Sequence, residues 1–160
     1  QGCEVDILPD GRLDLPDQVL ERLDIVLASL HERVGHSSEQ LMARYMAAMK
    51  HPFVNVITHP ANRSPARSSG YDLDFARLFD AAVSTGTAME IDGAPGHLDM
   101  DGSVARLAAL AGVGRLARDG SDRARGRSCR RLLWRARGCR ACQSCASDPV
   151  KQLGRPSLVT

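Results

Sequence analysis

The sequence predicts an α/β domain on parallel strands, followed by a basic segment of different character. Three observations carry this. Short apolar runs alternate with segments of helical periodicity. Three of those runs carry or lead directly to a potential metal ligand, at Glu4, His31 and His59. Near Gly114 the charge balance and cysteine content change together.

The elements follow in order. Val5-Asp6-Ile7-Leu8 reads as a short strand stopped by the turn signal Pro9-Asp10-Gly11. Pro16 suits the first position of a short helix whose apolar side is Val19, Leu20 and Leu23. Asp24 to Leu30 is an almost unbroken apolar run, the pattern of a strand buried on both faces. Ser37 or Ser38 caps a helix to Lys50, with Leu41, Met42, Tyr45, Met46 and Met49 at helical spacing and Pro52 as its stop. Phe53 to Thr58 is the next strand, and Pro60 to Gly70 a loop. Asp72 or Asp74 caps a helix with apolar face Phe75, Leu78, Phe79, Ala82 and Val83, closed by Gly86. Thr87 to Ile91 is a further strand. Asp101 caps a helix to about Ala111, with Val104, Leu107, Ala108 and Ala111 inward. Strands alternating with helices argue for a parallel layer or barrel.

The chain has 160 residues, enough for one domain with a real core. Aromatic content is 4%, which leaves little for stacking on nucleic-acid bases. No run approaches a membrane span, and no signal peptide opens the chain, so a cytoplasmic protein is expected. Gln1 leads almost directly into a strand, as a start inside a larger protein would. The net charge of +2 conceals a split. Residues 1–113 hold 9 Lys+Arg and 16 Asp+Glu, giving −7; residues 114–160 hold 12 and 3, giving +9. Four of the five cysteines lie in the second part, which keeps no helical or strand period.

A carboxylate and two imidazoles suit zinc, manganese or iron, and such mixed sites commonly activate water for hydrolysis. A parallel sheet or barrel would bring Glu4, His31 and His59 to one end. Singly, each has an ordinary reading: a surface carboxylate, a hydrogen-bonded structural histidine, a loop-packing histidine. His59 precedes Pro60, which predicts an extended backbone there. Arg63 is placed to clamp a phosphate, or is a solvated loop arginine. His36 and His51 flank a helix and read as surface residues; His97 lies in a Gly/Pro loop; Glu90 and Asp92 either line a cationic site or cap a strand end. Cys139-x-x-Cys142-x-x-Cys145, with Cys129, is an incomplete metal pattern, because Ser147-Asp148-Pro149 stands where an iron–sulfur run has Cys-Pro.

Taken together, GCEVDILPDGRLD, LDIVLASLH, VNVITHPANR and GYDLDFARLFDAAVSTGTAMEIDGAPGHLDMDG resemble the polymerase-and-histidinol-phosphatase (PHP) domain, in particular that of bacterial family X DNA polymerases. The likeness covers about residues 1–113. It implies the C-terminal portion of a distorted (β/α)7 TIM-like barrel, with a multinuclear manganese or zinc centre that hydrolyses phosphoesters. In these polymerases that is a 3′-to-5′ exonuclease or DNA end-processing activity, with DNA as partner and a nucleotidyltransferase domain upstream. Glu4 matches the family's bridging glutamate, His31 the histidine after its buried strand, and His59 that of its Gly-His-Pro motif, with Thr58 in place of the glycine. Arg63 falls at the arginine that follows. The family's first histidines would precede Glu4, and its terminal Asp-x-His is absent, so the domain is partial and low activity is expected. Residues 114–160 read as an out-of-frame translation of GC-rich DNA or as a basic extension that binds phosphate backbones. The other functions left open are a PHP-type phosphatase of small phosphomonoesters and a non-catalytic DNA-binding or structural remnant.

Overall fold

Parallel strands need a crossover between them, and this sequence supplies one between each described strand and the next. The computed structural model describes residues 1–66, 68–94 and 96–118. Its elements are β1 (Gly2–Asp6), α1 (Asp17–Leu20), β2 (Ile25–Ser29), α2 (Ser38–Met49), β3 (Val56–Ile57), α3 (Phe75–Thr85), β4 (Ala88–Asp92), α4 (Gly102–Leu110) and β5 (Arg115–Arg118). The five strands form one sheet in sequential order, and every pair is parallel.

Local chemistry sets the helix ends. Ser37 and Gln40 form a reciprocal capping box at the start of α2. Asp74 accepts from the Arg77 N–H to start α3, and Gly86 ends it in the left-handed region at φ 74°. Asp101 accepts from the N–H groups of Ser103 and Val104 to start α4.

The sheet has two unlike faces. One packs Val5, Val26, Ala28, Ile57 and Met89 against Leu41, Met42, Tyr45, Leu78, Phe79, Ala82 and Ala108, and all the buried helix residues of the core lie on this side. The other carries a small strip of strand residues, Leu27, Val56, Ala88 and Leu116. Sequential strand order with connections of one hand winds every helix onto the same face, as in the wall of a TIM-like barrel and unlike a doubly wound sheet. The expected α/β class with a parallel sheet is therefore present as five strands, an arrangement compatible with part of such a barrel.

Several boundaries differ from expectation. β1 starts at Gly2 and ends at Asp6; Ile7 still donates to the Ser29 carbonyl at 2.7 Å but pairs on with Leu13. β3 is two residues long, since Pro52 and Phe53 sit in the turn that ends α2. Leu107 and Ala111, expected inward, are exposed; the packed side of α4 is Ala108 with part of Val104 and Ala105. Val83 is half exposed on α3. The strand β5 lies past residue 113, where the regular pattern was expected to stop. Val113 and Leu116 are buried, and Leu116 pairs with Glu90, so two apolar anchors suffice to add the edge strand. The four cysteines of the basic segment and its frame lie outside the described residues. No helix among those described is long and apolar enough to cross a membrane.

Candidate metal centre

The strip-bearing face of the sheet changes character along the strands. Leu27, Val56 and Ala88 stand in one register row. Two residues further on, side chains of the same parity are Ser29, Thr58 and Glu90, and all three are buried. Asp6, in register with Ser29, extends this row at the edge. An apolar layer thus lies below a polar one, which sits at the carboxyl ends of the strands, where parallel α/β folds place their sites.

Glu4 reaches into the polar layer from the row below. Its Oε1 accepts from Ser29 Oγ at 2.6 Å, and His59 Nε2 lies 3.3 Å from the same oxygen. His31 Nε2 lies 3.4 Å from it. The ligand atoms of the three residues lie within 4.8 Å of one another. The imidazole rings of His31 and His59 are 5.0 Å apart, tilted by 41°. Three residues distant in sequence are thus brought to one point.

The hydrogen bonds fix the protons. Ser29 spends its one proton on Glu4, so Thr58 Oγ1, in contact with Ser29 Oγ, must donate to it. Thr58 can then only accept from His59 Nε2, 3.3 Å away. Without an ion, His59 Nε2 therefore carries a proton toward Glu4. The two groups shift each other. The hydrogen bond from His59 holds the Glu4 carboxyl down at about 2, against the opposing effect of burial. Burial opposes protonation of His59, but the Glu4 carboxylate outweighs it and raises the imidazole above its usual 6.5.

Each histidine has its own support. His31, half exposed on the loop after β2, turns Nδ1 to the Asp6 carboxylate. That is the carboxylate–histidine arrangement that orients a metal-ligating ring. His59, whose side chain is 4% exposed, donates its backbone N–H to Glu90 Oε2 at 3.0 Å. Its backbone is not extended as the following proline suggested. It has φ 29°, in the left-handed region, held by Glu90 on its N–H and by Asn62 N–H on its carbonyl at 2.8 Å. Proline disfavours the right-handed helical region for the residue before it, and this conformation avoids that region by another route.

The donor set fits a divalent ion. Donors about 2.0–2.1 Å from a shared zinc at tetrahedral angles stand about 3.3 Å apart. The two contacts to Glu4 Oε1 match that spacing, while the whole set spans up to 4.8 Å, so the two imidazoles would draw together on a shared ion. His59 Nδ1 is buried without a hydrogen-bond partner among the described residues, and an ion held on Nε2 beside Glu4 would not supply one.

The other sequence candidates lie elsewhere. Arg63 donates Nη1 to the Leu98 carbonyl at 3.2 Å and stands 3.8 Å from Asp101. Its backbone N–H, with that of Ala61, goes to Asp99, whose carboxyl is raised by burial. His51 pairs with Asp17, and Asp92 accepts from the Ala94 N–H at 2.9 Å. His97 and His36 are not in the cluster. Sequence reasoning missed Asp6, Ser29 and Asp99. Strand parity could have found Asp6, two residues from Glu4 on the same face.

The chain is also similar to known proteins. The chain is 40% identical over 100 residues to the DNA polymerase/3′-5′ exonuclease PolX of Bacillus subtilis, covering 62% of this chain and 18% of that protein. It is 35% identical over 95 residues to a probable phosphatase of Syntrophotalea carbinolica, 58% of this chain and 37% of the relative. A probable phosphatase of Caldanaerobacter subterraneus is 38% identical over 96 residues, 58% of this chain and 35% of the relative. The chain thus spans well under half the length of these relatives. No protein-family model matches it.

Proposed function

We propose that this chain carries part of a metal-dependent phosphoesterase domain of the polymerase-associated PHP type, acting on phosphodiester bonds at DNA 3′ ends. The observation that carries the reading is the meeting of His31 and His59 on one oxygen of Glu4 at the carboxyl end of a parallel sheet. The name of the Bacillus relative supports the DNA substrate and the exonuclease direction. A manganese or zinc ion held by Glu4, His31 and His59 would polarise a phosphoryl oxygen and acidify water. The chain's own part is to hold the donors. Ser29 and Thr58 fix the Glu4 carboxylate, Asp6 fixes the His31 ring, and Glu90 fixes the His59 backbone. His59 would hold an ion only as the neutral imidazole, with its Nε2 proton given up. Arg63 retains guanidinium donors beyond the one on Leu98 and can offer them to a phosphate oxygen. A nucleotidyltransferase domain upstream in the parent protein belongs to the same proposal.

A second reading, a phosphatase acting on small phosphomonoesters, is favoured by the names of several relatives. One assay separates them. The 160-residue chain is incubated with manganese or zinc and 3′-labelled single-stranded DNA, an aryl phosphodiester or an aryl phosphomonoester. Slow, chelator-sensitive release of nucleotides from the 3′ end, lost in Glu4→Gln, is the expected result. Preference for the monoester selects the second reading. Turnover indifferent to chelator and to Glu4→Gln, or none with any metal, overturns both.

A further inference from the structure

His31 poses a problem that the sheet does not solve. It lies past the end of β2, in a stretch without regular structure up to the Ser37 cap, and its side chain is half exposed. Yet its ring must meet Glu4 with one nitrogen and Asp6 with the other. Asp6 in turn is the last residue of β1. The two loops that leave these strands therefore have to be held in one relation.

Arg44, on α2, spans both. It is a charged residue only 3% exposed. Its Nε donates to the Leu8 carbonyl at 3.0 Å, Nη1 donates to the Glu32 carbonyl at 2.7 Å, and Nη2 donates to the Ile7 carbonyl. Ile7 follows Asp6 directly, and Glu32 follows His31. Burying a guanidinium is costly unless its donors are matched, and here three of its donors meet the carbonyls of these two loops. The turn after β1 is shaped to allow it. Gly11, at φ 85°, packs so close to α2 that a Cβ there would lie 2.8 Å from Ala47 Cβ. On the far side, Tyr71 donates to the Leu30 carbonyl at 3.2 Å.

We propose that Arg44 is a positioning residue for the metal centre: by tying the carbonyls next to Asp6 and His31, it holds the His31 ring in ligating orientation. This rests on the metal reading of Glu4, His31 and His59. The guanidinium acts through His31 and touches neither ion nor substrate. A long apolar residue would fill the same space but would leave the loops free. A lysine would keep the charge but reach the carbonyls from one point rather than from a fork.

A double-mutant cycle on the 160-residue chain tests this, read as Mn²⁺ affinity by titration and as imidazole nitrogens on the ion by pulsed electron paramagnetic resonance. Two imidazoles are expected in the wild type. Arg44→Met should weaken Mn²⁺ binding by about 10–100-fold, the range for groups that orient a ligand. It should reduce the count to one, as His31→Ala does. In the His31→Ala background, Arg44→Met should add less than about threefold, because the residue it positions is gone. Should Arg44→Met not fold, Arg44→Lys serves in the same cycle, with a smaller loss and the same non-additivity. Equal losses with and without His31, or two imidazoles retained in a folded variant, overturn the proposal. Failure of the wild type to bind, or binding unchanged by Glu4→Gln, overturns the metal reading and this inference with it.

Discussion

His59 and His31 approach the same oxygen of Glu4 at nearly equal distances, 3.3 and 3.4 Å, from opposite surroundings. The side chain of His59 is 4% exposed at the end of a strand in the middle of the sheet, and that of His31 is 50% exposed on a loop. The buried ring is set by its backbone, through Glu90 and the Asn62 turn. The exposed ring is set by its far nitrogen, through Asp6. One site can therefore be assembled in two ways, and the two should respond differently to substitution, acid and metal.

The largest effect is expected where the two meet. Glu4→Gln should lower Mn²⁺ or Zn²⁺ affinity more than about 100-fold, beyond what outer groups contribute, because it removes the oxygen that both imidazoles face. Calorimetric titration of the metal-stripped chain measures this; retention of affinity within tenfold would separate the carboxylate from the site. The two histidines should then part in stability. His59→Ala empties a buried position and removes the imidazole from Glu4, while the backbone N–H held by Glu90 remains, and should cost about 2–3 kcal/mol in urea unfolding. His31→Ala should cost under about 0.5 kcal/mol, as surface substitutions do, while still weakening metal binding. Equal costs would show that burial is not what distinguishes them.

Acidity sharpens the same contrast. The raised His59 contributes stability that is full below its ordinary 6.5 and is lost as pH rises through its folded value. Glu4, lowered from 4.5 to about 2, contributes stability that is full above 4.5 and is lost as pH falls toward 2. The metal-free chain should draw most from this pair between about pH 4.5 and 6.5. Metal competes with the His59 proton, so affinity should climb as pH rises above 6.5. Thermal unfolding with chelator and with Zn²⁺ across pH 5–8 checks both signs; affinity that falls on raising the pH contradicts them. A smaller effect is expected at Asp6. Asp6→Asn should weaken metal binding about tenfold and leave the His59→Ala variant's stability unchanged.

Much of this was legible in the sequence, for identifiable reasons. The helices were, because Ser37, Asp74 and Asp101 cap them and Gly86 ends α3. The buried strand β2 was, because a run with no polar interruption before Ser29 has no solvent face. The convergence of Glu4, His31 and His59 was foreseen because parallel strands deliver their carboxyl ends to one side. The backbone of His59 was not, because a long-range carboxylate, Glu90, decides it. β5 was missed because two apolar residues among arginines carry no period, and only pairing with β4 reveals the strand. Leu107 was expected inward because helical spacing marks a stripe but not whether a neighbour covers it.

The proposed function requires one ion to be held between Glu4, His31 and His59. Crystals of the chain grown with Zn²⁺ and measured across the zinc absorption edge test it most directly. An anomalous peak is expected about 2.0–2.2 Å from a Glu4 carboxylate oxygen and from one nitrogen of each histidine. A peak bound elsewhere, with the three side chains still joined only to one another, would contradict it.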